Sequence, residues 1–192
     1  MHRAGREGST KKRLVMVSLV IAVWAVPVSL GPPLLSNDVY SYAAQGEMAS
    51  RGRDPSTIGP VGIAEGQFGG AGRNDWVTMA DPVWRASPAP YGPVAVAASR
   101  AVVTAAGHDP ATSIWLYRVV VLGGVAMAGA GIVLIASRSR VNPAVALALG
   151  LGNPIVILHL SGGVHNDALM FGFLALGLAA AQRDRKKTAL AL

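Results

Sequence analysis

The 192-residue chain has no cysteine, which removes disulfides, thiol nucleophiles and cysteine-type zinc sites from the chemistry open to it. Charge is also scarce. Only 14% of residues are Asp, Glu, Lys or Arg, against 52% hydrophobic and a mean hydropathy of +0.42, whereas soluble domains carry about 25% charged residues. This composition is that of an integral membrane protein. Both nucleotide-binding fingerprints are missing as well. The glycine-rich tract Gly59, Gly62, Gly66, Gly69, Gly70 and Gly72 follows no buried strand and ends in no Lys-Ser/Thr, so it reads as a lid or a linker rather than a phosphate loop.

What is present begins with a positive excess, a formal net charge of +7. Its distribution argues against a nucleic-acid partner, because the positives flank hydrophobic segments. Arg3, Arg6, Lys11, Lys12 and Arg13 precede the first segment, Arg138 and Arg140 separate two later ones, and Arg183, Arg185, Lys186 and Lys187 follow the last. The positive-inside bias puts all three clusters in the cytoplasm. The expected class is all-α, a polytopic transmembrane helical protein with about four membrane-spanning helices and a long extracytoplasmic first loop. A cytoplasmic basic tail (1–13) leads into transmembrane helix 1 (14–35), and an extracytoplasmic loop with interfacial helices follows (36–114). Helices at 115–136, 141–160 and 165–182 complete the spans, and 183–192 makes a cytoplasmic turn and the start of a truncated next helix. Leu14–Leu35 is a retained helix rather than a signal peptide, since Pro32-Pro33 interrupts the place of a cleavage site. The apolar stretch from Pro93 to Gly107 is short and carries Arg100. It reads as re-entrant or interfacial, because a span there would invert the later charge clusters.

Ser36-Asn37-Asp38-Val39-Tyr40-Ser41-Tyr42 follows the first span directly and sets Asp38 at a membrane surface. Partial desolvation there strengthens a carboxylate's hold on a proton, which suits a general base. Ser, Asn and Asp are equally the residues that cap a new helix. If the segment is helical, Asp38, Tyr42 and Gln45 fall at i, i+4 and i+7, one face with a carboxylate, a phenol and an amide.

Further polar groups gather at the same membrane edge. Arg118 is either an anchor reaching lipid headgroups or a phosphate ligand with a fork of donors. His165-Asn166-Asp167 precedes an apolar helix that Asn166 or Asp167 can cap. Together with His159 these residues match no standard metal spacing, and a sugar- or phosphate-contacting cluster is the better reading; no metal is assigned. Tyr91-Gly92-Pro93, after Pro88 and Pro90, reads as a rigid turn, and Trp76, Trp84 and Trp115 as interfacial belt or sugar-stacking residues.

Ser36 to Gly46, joined with Tyr91-Gly92-Pro93, Asn153-Pro154 and Gly163 to Met170, resembles the polyprenol-phosphate-mannose-dependent alpha-1,6-mannosyltransferases of the actinobacterial lipomannan pathway. The resemblance implies a C-type glycosyltransferase fold, of which this would be the N-terminal part, in the plasma membrane with a cytoplasmic amino terminus and an extracytoplasmic active site. It implies Asp38 as catalytic base, inversion at the mannosyl carbon, and Arg118, Tyr40, Tyr42, His165, Asn166 and Asp167 as donor phosphate or sugar ligands. The partners implied are the bilayer, polyprenyl phosphomannose and a mannan acceptor lipoglycan. No cofactor beyond the lipid-linked donor is implied, so a missing nucleotide fingerprint is expected. Two other classes remain: a transporter or flippase-like protein, and a non-catalytic module that binds lipid-linked sugar.

Overall fold

Asx residues followed by proline set where several helices begin. Asp109 Oδ2 accepts the Thr112 amide at 2.7 Å, Asn142 Oδ1 the Ala144 amide at 3.0 Å and Asn153 Oδ1 the Ile155 amide at 2.8 Å. Each satisfies an N–H that a first turn leaves open, and the proline that follows has none to lose. The Thr112 amide holds the Asp109 carboxyl below the usual carboxylate range.

The computed structural model describes residues 2–63 and 75–183. Its helices are α1 (His2–Leu30), α2 (Asp38–Ser50), α3 (Asp75–Met79), α4 (Pro93–Ala105), α5 (Pro110–Arg138), α6 (Pro143–Leu151), a π-helix (Val156–Gly162) and α7 (Asp167–Arg183), with a 3-10 turn at Pro60–Ile63. No strand occurs among the described residues. Gly66, Gly69, Gly70 and Gly72 of the glycine tract, and Arg185, Lys186 and Lys187 of the last basic cluster, lie outside them.

The chain divides into two compact units: Ser36–Val119, and Met1–Leu35 with Val120–Leu192. In the second, α1 packs on α6 and on the π-helix. Its core gathers Ala128, Leu147 and Leu151 against Leu14, Val17, Ile21, Ile132 and Val156. Small residues let two backbones approach. A Cβ on Gly124 would overlap the backbone of Ala168, and one on Gly131 would meet Ala175, the device by which apolar helices pack without a hydrophobic driving force. Val15, Leu19, Val23, Trp24 and Leu30 leave one long side of α1 apolar and exposed, as lipid contact requires.

Two helices are long and apolar enough to cross a bilayer, Gly8–Leu30 and Pro110–Arg138, and the pair of α6 and the π-helix, bent by 64°, makes a third candidate. At 17 residues α7 spans about 25 Å, short of a hydrocarbon core of about 30 Å. The sequence expectation was about four spans; two to three candidates are present among the described residues. The first helix stops at Leu30, and the chain runs non-helically through Pro32-Pro33 to Leu35, which takes a positive φ of 64°.

In the Ser36–Val119 unit α2 packs along α4 and touches α3 and the 3-10 turn. Val39, Ala43, Ala44 and Met48 on α2 and Val102 and Val103 on α4 are buried. Gly46 marks the closest approach, where a Cβ would overlap the Ser99 carbonyl of α4. Gly46→Ala is therefore expected to destabilise the unit by about 1–3 kcal/mol despite alanine's better helix propensity. A thermal or denaturant midpoint equal to wild type would show that the two helices separate freely.

Candidate active site

Asp38 is the first residue of α2, and its amide donates to Ser36 Oγ at 3.1 Å, while Asn37 at the cap position makes no side-chain capping bond. Capping thus falls on Ser36, and the Asp38 side chain borders a cleft. The helical register puts Asp38, Ser41, Tyr42 and Gln45 on one wall, and Trp84, Ser87, Pro88, Pro90 and Tyr91 form the other, around about 70 Å³. The stripe expected from i, i+4, i+7 spacing is therefore present and faces a hollow.

The rings are held in place by one another. Tyr91 meets Tyr42 edge to face at 5.3 Å between centroids, and the Tyr91 hydroxyl donates to that of Tyr42 at 3.3 Å. Tyr117 tilts against Tyr42 at 6.2 Å. Tyr42 is buried, whereas Tyr40 is half-buried and lies within electrostatic reach of Arg118. Arg118 is itself buried, its guanidinium over the Trp115 ring at 5.1 Å. Asp38 and Tyr42 thus share one cleft, and Tyr40 and Arg118 are neighbours within the same unit.

His165, Asn166 and Asp167 belong to the other unit. There the π-helix carries His159 and Ser161, a geometry that is rare and recurs at functional sites. The helix ends at Gly162, and the chain turns at Val164. His159 stacks on His165 with centroids 4.0 Å apart, and His165 Nδ1 lies 3.9 Å from Asp167 Oδ2. Between them Val164, fully buried, takes a φ of +56°, an outlier for a β-branched residue that the surrounding packing must enforce. Among the described residues no group of three or more His, Asp or Glu is placed to hold a metal. A separate cavity of about 360 Å³ in this unit is lined by Ile132, Leu151, Val156, Leu160, Phe171 and other apolar side chains, a lining that suits hydrocarbon and not sugar.

One cluster escaped the sequence reading. Glu47 on α2 is fully buried and pairs with Arg51, while its Oε2 stands 2.6 Å from His108 Nδ1 and accepts from the Ser50 hydroxyl at 3.3 Å. The Glu47/Arg51 spacing of i, i+4 was a visible signal; His108, 61 positions away, was not.

The family described as "Alpha-(1->6)-mannopyranosyltransferase, N-terminal domain" matches residues 1–192. The chain is 34% identical to alpha-(1->6)-mannopyranosyltransferase B of Corynebacterium glutamicum, over 92% of this chain and 29% of that protein. An alpha-(1->6)-mannopyranosyltransferase of Mycobacterium tuberculosis is 37% identical over 84% of this chain and 26% of its own length. A probable alpha-(1->6)-mannopyranosyltransferase of Mycolicibacterium smegmatis is 36% identical, with 93% and 31% covered. The chain thus spans about a third or less of the curated relatives it matches. No solved structure matches it.

Proposed function

This chain belongs to the alpha-(1->6)-mannopyranosyltransferase family, as its N-terminal domain, and on that premise we propose that it serves a membrane mannosyltransferase drawing on polyprenyl phosphomannose and extending an alpha-1,6-mannan. The observation that carries the proposal is the single face of α2 on which Asp38, Tyr42 and Gln45 border one cleft. Asp38 takes the proton of the acceptor hydroxyl as its oxygen bonds to the anomeric carbon. The bond from that carbon to the phosphate oxygen breaks, polyprenyl phosphate leaves with the electron pair, and the mannosyl centre inverts.

Arg118, with Tyr40 beside it, stabilises charge that grows on the departing phosphate. Its burial against Trp115 favours this role over a headgroup anchor, whose charged end must reach outward. Tyr42 positions the acceptor, and in the other unit His165, Asn166 and Asp167 form a cluster of donors and acceptors suited to sugar or phosphate. In this reading α1, α5, α6 with the π-helix, and α7 are the four crossings. The amino terminus is cytoplasmic, and Asp38 faces the extracytoplasmic side of the plasma membrane.

The test is transfer from synthetic polyprenyl phosphomannose to a short alpha-1,6-mannoside by membranes carrying the protein. Product with the new alpha-1,6 linkage supports the reading; donor translocation or binding without transfer supports a transporter or a binding module in its place. Arg118→Ala is expected to raise the donor KM about tenfold, the worth of a hydrogen bond to a charged group, with a smaller change in unfolding midpoint. Donor saturation equal to wild type would return Arg118 to the anchor role.

A further inference from the structure

A second hollow lies at the other end of the α2 face that bears Asp38. It encloses about 430 Å³ and is bordered by Ala49, Asp54, Ser56, Tyr91, Val96 and Arg100. Two features join it to the first cleft. Tyr91 borders both. Positions 38, 42, 45 and 49 also continue one helical stripe at i, i+4, i+7 and i+11, so Asp38 and Ala49 are about 16 Å apart along α2. The two hollows therefore adjoin at Tyr91, along one stripe of α2.

The lining chemistry selects the ligand. Asp54 is fixed by the Ser56 amide at 2.9 Å and the Ser56 hydroxyl at 2.7 Å, and these bonds hold its carboxyl below the usual range, so it presents a fixed acceptor. Arg100, exposed on α4, presents donors only. An anionic ligand would meet Asp54 and a cationic one Arg100, whereas neutral hydroxyls use both. Between them, Val96, Ala49 and the ring of Tyr91 offer an apolar surface matched to the C–H face of a pyranose. Tyr91 is pre-set by its edge-to-face contact and hydroxyl bond to Tyr42, which lowers the ordering cost of binding.

We propose that this groove binds a neutral oligosaccharide, the sugar residues of the acceptor that trail behind the hydroxyl delivered to Asp38. The term acceptor rests on the mannosyl-transfer reading; the binding itself does not. The experiment titrates alpha-1,6-linked manno-oligosaccharides of increasing length against the detergent-solubilised full protein, by saturation-transfer NMR and by acceptor KM in the transfer assay. Wild type should bind longer oligosaccharides more tightly, with little dependence on salt because the ligand carries no charge. Arg100→Ala, at an exposed position, should raise the acceptor KM about tenfold for the longest acceptors, and progressively less for shorter ones. Arg140→Ala, outside this unit, controls for nonspecific loss of charge.

An acceptor KM independent of chain length in wild type, or equal in Arg100→Ala, overturns the groove while leaving mannosyl transfer standing. A loss in Arg100→Ala that follows the anionic-lipid content of the bilayer, and not acceptor length, assigns this arginine to headgroups and also overturns it. Oligosaccharide binding sensitive to Arg100 but without transfer supports the groove and overturns the transfer reading. Neither binding nor transfer overturns both.

Discussion

Asp38→Asn is expected to leave the protein inserted in the membrane and, on the mannosyl-transfer reading, to lower transfer by about two to four orders of magnitude, the contribution of a positioned general base. The substitution keeps the size and hydrogen-bonding reach of the side chain but removes its ability to take a proton. Ser36 Oγ accepts the Asp38 amide at this helix end, a backbone bond that the substitution keeps, so α2 should begin where it does in wild type. The two effects therefore separate: turnover falls while protease accessibility and the unfolding midpoint hold. The measurement is initial rate with synthetic donor and a short mannoside, on membranes matched for protein content. Turnover within about threefold of wild type would remove Asp38 from the base role, since loss of a base acting in the transition state costs far more. A parallel loss of insertion would recast it as a structural residue.

The second large effect concerns stability. Glu47 has a side chain with 0% exposure, while its partners Arg51 and His108 keep 31% and 47%. That asymmetry decides which substitution hurts more. Removing Glu47's charge, as in Glu47→Gln, leaves Arg51 and His108 where water can reach them, and an amide that still reaches Ser50. The double variant Arg51→Ala, His108→Ala leaves the carboxylate buried without the arginine charge and the imidazole contact that compensate it, a situation that costs about 3–5 kcal/mol. Denaturant midpoints should therefore rank wild type, then Glu47→Gln, then the double variant. The reverse order would mean that the carboxylate, and not its partners, carries the favourable energy.

The consequence reaches the Asp38 cleft through one helix. Glu47 ties the carboxyl end of α2 to the turn between α4 and α5, where Gly107 and His108 both take left-handed φ angles of 63° and 62°. Asp38 stands at the other end of the same helix, so the pairing at Glu47 helps hold the register of Asp38 in its cleft. Part of the activity lost in the double variant should return at low temperature, where the folded fraction recovers; Asp38→Asn should show no such return.

Much of this was legible in the residues. Low charge content and flanking Lys/Arg clusters are bulk properties of the chain, and they pointed to a helical membrane protein. The stripe of Asp38, Tyr42 and Gln45 follows from helical periodicity, a local rule that needs no partner to operate. The Asx-Pro pairs at 109, 142 and 153 are equally local, and the one at 109 explains why α5 begins at Pro110 and not at Trp115, where the apolar run alone had placed it. The face that α2 turns to its cleft was visible before any contact was known, but not what stood across from it.

Tertiary structure supplied the opposing walls. Tyr91 reaches Tyr42 across 49 positions, His108 reaches Glu47 across 61, and Gly46 meets Ser99 only because α2 and α4 pack at backbone contact. None of these pairings follows from periodicity or capping, because each depends on closing a long loop whose entropy is offset by the packing of the unit as a whole. The π-helix and the strained Val164 are of the same kind: the Leu34 amide donates to the Gly162 carbonyl, and packing around the buried Val164 holds its positive φ. Sequence determined the membrane class, the helices and the face that bears Asp38, since these rest on interactions within a few residues. The cleft, the groove beyond Tyr91 and the buried carboxylate were decided by contacts between distant segments, which exist only in the folded chain.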